Sequence, residues 1–247
     1  MFGFGLNSKK WVKESQKTEK ETKKKAGQAF HTWKNIKTTF AKDMLSFEEL
    51  HLDNQGKISG SLVYSEMVSF NKRLSVVEAL ATWGYYHSSL QELLFILETA
   101  ILAYYLDQQL PNTDHASKIN LMQKHKGELW GTRLRRRAFM HERDLGAEIE
   151  KVVEDINNSI DQYLADNLVD TWKQEFLPFD AVEFNDCVRN TENVLALLIK
   201  LFTNRFGNFR YSGNIKITHS DAIEPEAAAA IESEKEKEED VESSDEE

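Results

Sequence analysis

The chain is poor in the residues that interrupt helices. Eleven glycines and three prolines are spread over 247 residues, and between Lys72 and Gln109 there is no proline and a single glycine, Gly84. A protein made of many short strands needs a turn signal every eight to twelve residues or so, and this chain does not supply them. Long helices are therefore expected. A hydrophobic content of 40%, with 14 Phe, 7 Tyr and 5 Trp, is enough to give them a core.

The apolar periodicity points the same way. Leu90, Leu94, Leu97, Ile101 and Tyr104 alternate in steps of four and three, flanked by Leu93, Ile96 and Ala100. That is the wide apolar face of a central helix covered by several neighbours, and Pro111 closes it. A shorter run follows with Ile119, Met122, His125 and Leu129 on one face. Leu134, Ala138, His141, Leu145, Ile149, Val152, Ile156, Ile160 and Tyr163 then form one continuous stripe. The last stripe is Phe184, Val188, Thr191, Leu195, Leu198 and Phe202, ending at Gly207. The pattern predicts an all-α fold, an up-and-down bundle of about four helices near 73–109, 117–130, 134–176 and 181–206. Ahead of it, Ala26, Phe30, Trp33, Phe40 and Met44 predict an extra N-terminal helix. Asp53-Asn54-Gln55-Gly56 is a turn signal that predicts a small hairpin or loop near 48–64. "FRYSGNIKIT", after Gly207, reads as a short strand or an ordered coil.

Charge divides the chain into segments. Residues 1–42 hold 11 Lys against 3 Glu, or +8; residues 221–247 hold 13 acids against 2 Lys, or −11; the middle carries −7. Residues 1–25 read as a basic flexible arm, 26–71 as the N-terminal helix and hairpin, 72–220 as the helical domain and 221–247 as a disordered acidic tail. A protein that coats DNA through its bulk charge is excluded, so any nucleic-acid contact is local. With Phe2, Phe4, Leu6 and Trp11 beside its lysines, the arm also has the composition of a peripheral membrane contact. No transmembrane segment is expected, because "LLFILETAILAYYL" is short and contains Glu98. The N-terminus runs into lysines without a signal-peptide core, which predicts a cytoplasmic protein.

Several chemistries lack their residues. Cys187 is the single cysteine, so no internal disulfide or multi-cysteine zinc site forms. Aligning Gly56 with the glycine of a calcium loop puts His51 and Leu62 at ligand positions that need acids. No Gly-rich phosphate loop, GxSxG elbow or paired carboxylate motif is present, and neither a cofactor nor a metal is expected. His87, one turn before Leu90, reads as a histidine at the edge of the core.

"LRRRAFMHERDLG", Leu134 to Gly146, stands apart. Arg133, Arg135, Arg136 and Arg137 crowd four positive charges into five residues ahead of the long run. At the start of a helix they would oppose its macrodipole, by about 0.3–1 kcal/mol each where exposed. An anion or an acidic partner would account for them. His141 falls on the apolar stripe, where a buried imidazole needs partners for both nitrogens.

Arg136-Arg137-Ala138-Phe139-Met140-His141 resembles the R-x4-6-H motif of the HEPN superfamily (higher eukaryotes and prokaryotes nucleotide-binding). The order of elements is similar too: a long helix ending in "LETAILAYYLDQQLP", a second helix, the Arg…His segment and a long terminal helix. The resemblance covers about 135 residues. It implies a homodimer in which two protomers bring their motifs together, and a metal-independent endoribonuclease of toxin or defence type, with an antitoxin or other protein partner. Carried over, Arg136 holds the scissile phosphate and His141 moves the proton at the ribose 2′-OH. Arg133, Arg135 and Arg137 would bind substrate. Active members often carry Asn, Asp or His after the arginine; here it is Arg137, a departure that bears on catalysis more than on fold. On a regular helix Arg137 shares a face with His141, whereas Arg136 points about 140° away. The competing expectation is a non-enzymatic helical interaction or regulatory module, in which the arginines bind an acidic partner or a nucleic-acid backbone.

Overall fold

The computed structural model describes residues 8–50, 58, 60–124, 130–171, 179–207 and 209–219, with the backbone alone at 8–11, 50 and 166–171. The chain divides into two units, Met1–Ile217 and Thr218–Glu247. Only Thr218 and His219 of the second are described, so the expected acidic tail lies outside the described residues.

The all-α expectation holds: eight helices and no strand occur among the described residues. They are α1 (Ser8–Lys25), α2 (Gly27–Leu50), α3 (Leu62–Thr82), α4 (Tyr86–Gln109), α5 (His115–Lys124), α6 (Gly131–Ala138), α7 (Arg143–Thr171) and α8 (Ala181–Phe206). The helix α4 is central and packs against α3, α6, α7 and α8. Leu90, Leu93, Leu97 and Ile101 are buried on it together with Ile96, Leu102 and Leu106, which lie around the rest of its circumference. Each such side chain contributes about 1.5–3 kcal/mol relative to exposure. At 24 residues α4 is long and apolar enough to cross a membrane, a length the apolar window alone understates. Of its most apolar stretch, 67% is buried inside this fold.

Two helices expected to be continuous are broken. The run 73–109 is split between α3 and α4 at Gly84, whose φ of 85° lies where only glycine is unstrained. The run 134–176 is split between α6 and α7 at residues 139–142. The expected hairpin falls largely outside the described residues, and its flanks are the helices α2 and α3. Residues 209–217 are coil, tied down where Asp43 of α2 accepts bonds from the Ser212 amide (2.6 Å) and hydroxyl (2.9 Å).

The expected basic arm is helical from Ser8 and docked rather than free. Ser15, Thr18 and Thr22 are buried on α1, and the Thr22 hydroxyl reaches the Thr82 carbonyl at the end of α3 at 3.1 Å. On α2, Trp33 is fully buried with its ring edge-on to Phe184 of α8, 5.3 Å between centroids. Asp180 caps α8 by accepting from the Val182 and Glu183 amides at 2.8 and 3.1 Å. Tyr86 ties the start of α4 to that cap, its hydroxyl accepting from the Asp180 amide at 2.9 Å. His87 is half-buried and stacked on Tyr163 (6.3 Å, 19°), with its pKa lowered by burial. The lone Cys187 is fully buried; its Sγ faces the Tyr86 carbonyl at 3.8 Å, and burial pushes the thiol far up.

Candidate functional site

The Arg…His segment forms a corner between α6 and α7. Leu134 and Ala138 bury the inner face of α6, and Phe139, the residue that ends it, is buried against the Tyr104 ring of α4 at 5.8 Å. The chain turns there, the Glu142 amide donating to the Phe139 carbonyl at 3.1 Å. The Glu142 carboxylate accepts from the Tyr104 hydroxyl at 2.8 and 3.0 Å, from Gln108 at 3.3 Å and from Asn204 of α8 at 3.3 Å. Burial and then the Glu142 carboxylate push Tyr104 up to about 12, so it stays a donor. The first turn of α7 passes so close that a Cβ on Gly146 would sit 2.9 Å from that of Phe139.

This geometry corrects three expectations. His141 is not on a core stripe: it is exposed in the connection between two helices. The stripe continues in register on either side of the corner, from Leu134 and Ala138 to Ile149 and Val152, which are buried. Arg135, Arg136 and Arg137 occupy the last turn of α6, where the macrodipole favours cations, and not the start of a long helix. Arg135 is no surface ligand either. It is 8% exposed and pairs with Glu98 of α4 and with Glu150 of α7, the latter at 3.0 Å.

Arg133, Arg136, Arg137, His141 and Arg143 are all exposed. Their side chains make no hydrogen bond or ion pair among the described residues. Met140, in their midst, is 63% exposed. The corner thus presents cationic side chains on a backbone anchored by Phe139 and Glu142. Arg136 and Arg137 come from α6 and His141 from the connection, so the helical offset that separated Arg136 from His141 does not apply.

Two ionic clusters, one buried and one partly so, lie elsewhere and are invisible to periodicity. At the start of α3, the Asp107 carboxylate accepts from the Leu62 and Val63 amides at 3.1 and 3.2 Å and from the Ser61 hydroxyl. Lys118 of α5 completes it, its Nζ 2.8 Å from Asp107 and 2.9 Å from the Gly60 carbonyl, with both side chains at most 1% exposed. Arg205 approaches Asp107 to 3.8 Å. The second cluster is Glu98, Arg135 and Glu150. The partners are far apart in sequence, and no spacing rule joins them. Glu98 alone carried a signal, as a charge inside the most apolar window.

No group of three or more His, Cys, Asp or Glu side chains suited to a metal ion occurs among the described residues. Compared with protein-family models, with curated proteins and with solved structures, the chain matches none.

Proposed function

We propose that the chain is a helical interaction module that engages a nucleic-acid backbone through the α6–α7 corner. The observation that carries this reading is the set of Arg133, Arg136, Arg137, His141 and Arg143, exposed together and without internal partners among the described residues. Arginine forks suit phosphate oxygens, and an array of them gives sequence-independent affinity through counterion release. The anchored corner supports the same reading, because charges on a fixed backbone lose less freedom on binding.

Binding of labelled single-stranded RNA, measured by anisotropy across roughly 50–200 mM salt, tests it. The expected slope of log affinity against log salt is negative. Substituting Arg133, Arg136 and Arg137 by Ala should flatten it by about 0.7 for each phosphate no longer neutralised. A variant with the parent's affinity and slope refutes the proposal.

One observation favours a second reading, the HEPN-like homodimeric endoribonuclease. The break at 139–142 leaves Arg136 and His141 off a common regular helix and exposed, which a site completed by a second protomer requires. In that reading Arg136 holds the phosphate and His141 transfers the proton. Incubating the protein with RNA in EDTA separates the two. Cleavage abolished in His141→Ala with RNA binding retained establishes the enzyme; binding without cleavage leaves the module.

A further inference from the structure

A recess of about 430 Å³ opens between α4, α6 and α7, lined by Gln91, Phe95, Glu98, Trp130, Arg135 and Asn157 among others. We propose that it binds a primary alkylammonium group, with the Glu98 carboxylate as the counter-ion at its floor and Phe95 and Trp130 forming one aromatic wall along the stem.

The charge balance comes first. One guanidinium, that of Arg135, lies between the buried Glu98 carboxylate and the half-exposed Glu150 carboxylate, so the ionised cluster carries a net negative charge that solvent meets only on the Glu150 side. Glu98 is 4% exposed. Its Oε1 is taken by Arg135, while its buried Oε2 has no hydrogen-bond partner of normal geometry, although the Gly131 amide faces the carboxyl. A buried carboxylate oxygen short of hydrogen-bond donors is costly to leave so. Burial, and to a lesser degree Glu150, hold the Glu98 pKa above the usual carboxylate range despite Arg135, so this group takes up a positive charge readily. A proton supplies one; an ammonium would supply another.

The walls select which cation. The one carboxylate oxygen that Arg135 leaves over matches the point charge of an ammonium, whereas a guanidinium fork calls for both oxygens. Phe95 and Trp130 are 46% and 42% exposed and lie 5.9 Å apart, large apolar surfaces with no core to fill. Aromatic faces attract cations and cover alkyl stems. Phe95 already carries one cation on its ring, the Arg73 guanidinium at 5.3 Å, whose charge is met by Glu66 at 3.3 Å. Gln91 and Asn157 add amide oxygens that can accept the remaining ammonium protons. The same chemistry comes from a free amine or from a lysine side chain of a protein partner.

Calorimetric titration of the full chain with n-butylammonium at neutral pH tests the site, with n-butanol as the uncharged control. Acetyl-Gly-Lys-Gly-amide in a third arm distinguishes the sources. Butylammonium should bind and butanol should not. Glu98→Gln, which keeps the shape and an acceptor oxygen for Arg135, should weaken binding about tenfold or more, since a charge-assisted bond is removed. Trp130→Ala, at an exposed position, should weaken it about threefold and decides the matter if Glu98→Gln fails to fold. Tripeptide binding as tight as butylammonium points to a partner's lysine; butylammonium binding alone points to a free amine. Equal binding of butanol, full affinity in both variants, or no heat from either amine would overturn the proposal.

Discussion

Asp107 joins three elements through one carboxylate. It caps α3, sits near the end of α4, and neutralises Lys118 of α5. Replacing it leaves a buried ammonium unpaired and two amides without acceptors, so Asp107→Ala should destabilise the fold by about 3–5 kcal/mol in urea unfolding. Adding Lys118→Met should recover part of that deficit, because the stranded charge goes with it. A single variant as stable as the parent refutes this account. Glu98 gives the residue scale a pH signature. Its pKa is raised by burial, so the folded state holds the proton more tightly than the unfolded chain does. Its stabilising contribution is complete below the ordinary carboxylate pKa and is lost as pH rises through the higher folded value. The stability of the parent relative to Glu98→Gln should therefore fall with rising pH across that window and level off above it. A difference that rises with pH contradicts the assignment.

At the scale of elements, the α6–α7 corner decides where the arginines point. Gly146 lets α7 pass against Phe139, and Glu142 is drawn to Tyr104. Ala at 146 gains about 1 kcal/mol of helix propensity but brings its Cβ to 2.9 Å from the Phe139 Cβ, which cannot swing away as a chain end would. Overpacking of this kind costs about 1–3 kcal/mol, so Gly146→Ala should lower stability by about 1 kcal/mol and, on the proposed function, reduce RNA affinity by shifting the corner. A more stable variant with unchanged binding means that the close approach is unimportant. The same corner shows what a sequence conceals. Leu134, Ala138, Ile149 and Val152 keep helical register across it and are buried, so periodicity runs straight through a break. His141 was the one residue on the stripe that did not belong there chemically. Gly84 was the visible mark of the other break. Helicity and the core faces of α4 and α8 were legible because adjacent turns encode them. The clusters around Asp107 and Glu98 were not, because their members meet only through tertiary packing.

For the whole molecule, charge distribution matters more than net charge. The chain carries −10, of which −11 resides in residues 221–247, so removing them leaves +1. Those residues are acidic and short of large apolar side chains, so their deletion should leave Tm nearly unchanged. On the proposed function, affinity for RNA should rise at low salt, because long-range repulsion is removed, and the gain should fade as salt screens it. A fall of many degrees in Tm, or no gain in affinity at low salt, contradicts this. The docked α1, unlike the expected arm, places its lysines on the folded body; Lys23 and Lys25 pair with Glu19 and Glu21 along the helix. Those two lysines are thus neutralised locally, whereas Lys13, Lys17, Lys20 and Lys24 of the same helix are exposed.

The seclusion of Cys187 has a kinetic consequence. Its sulfur lies between the start of α4 and the second turn of α8, without solvent contact and with its thiolate strongly disfavoured. A thiol reagent meets it only when those two helices part, so the modification rate clocks that opening. At low reagent concentration the rate should track the equilibrium population of the open form, and at saturating reagent it should plateau at the opening rate itself. With no second thiol in the sequence to blur the signal, the native protein carries its own reporter of how often its centre comes apart. Rapid labelling under native conditions would show that α4 and α8 separate far more readily than their packing implies.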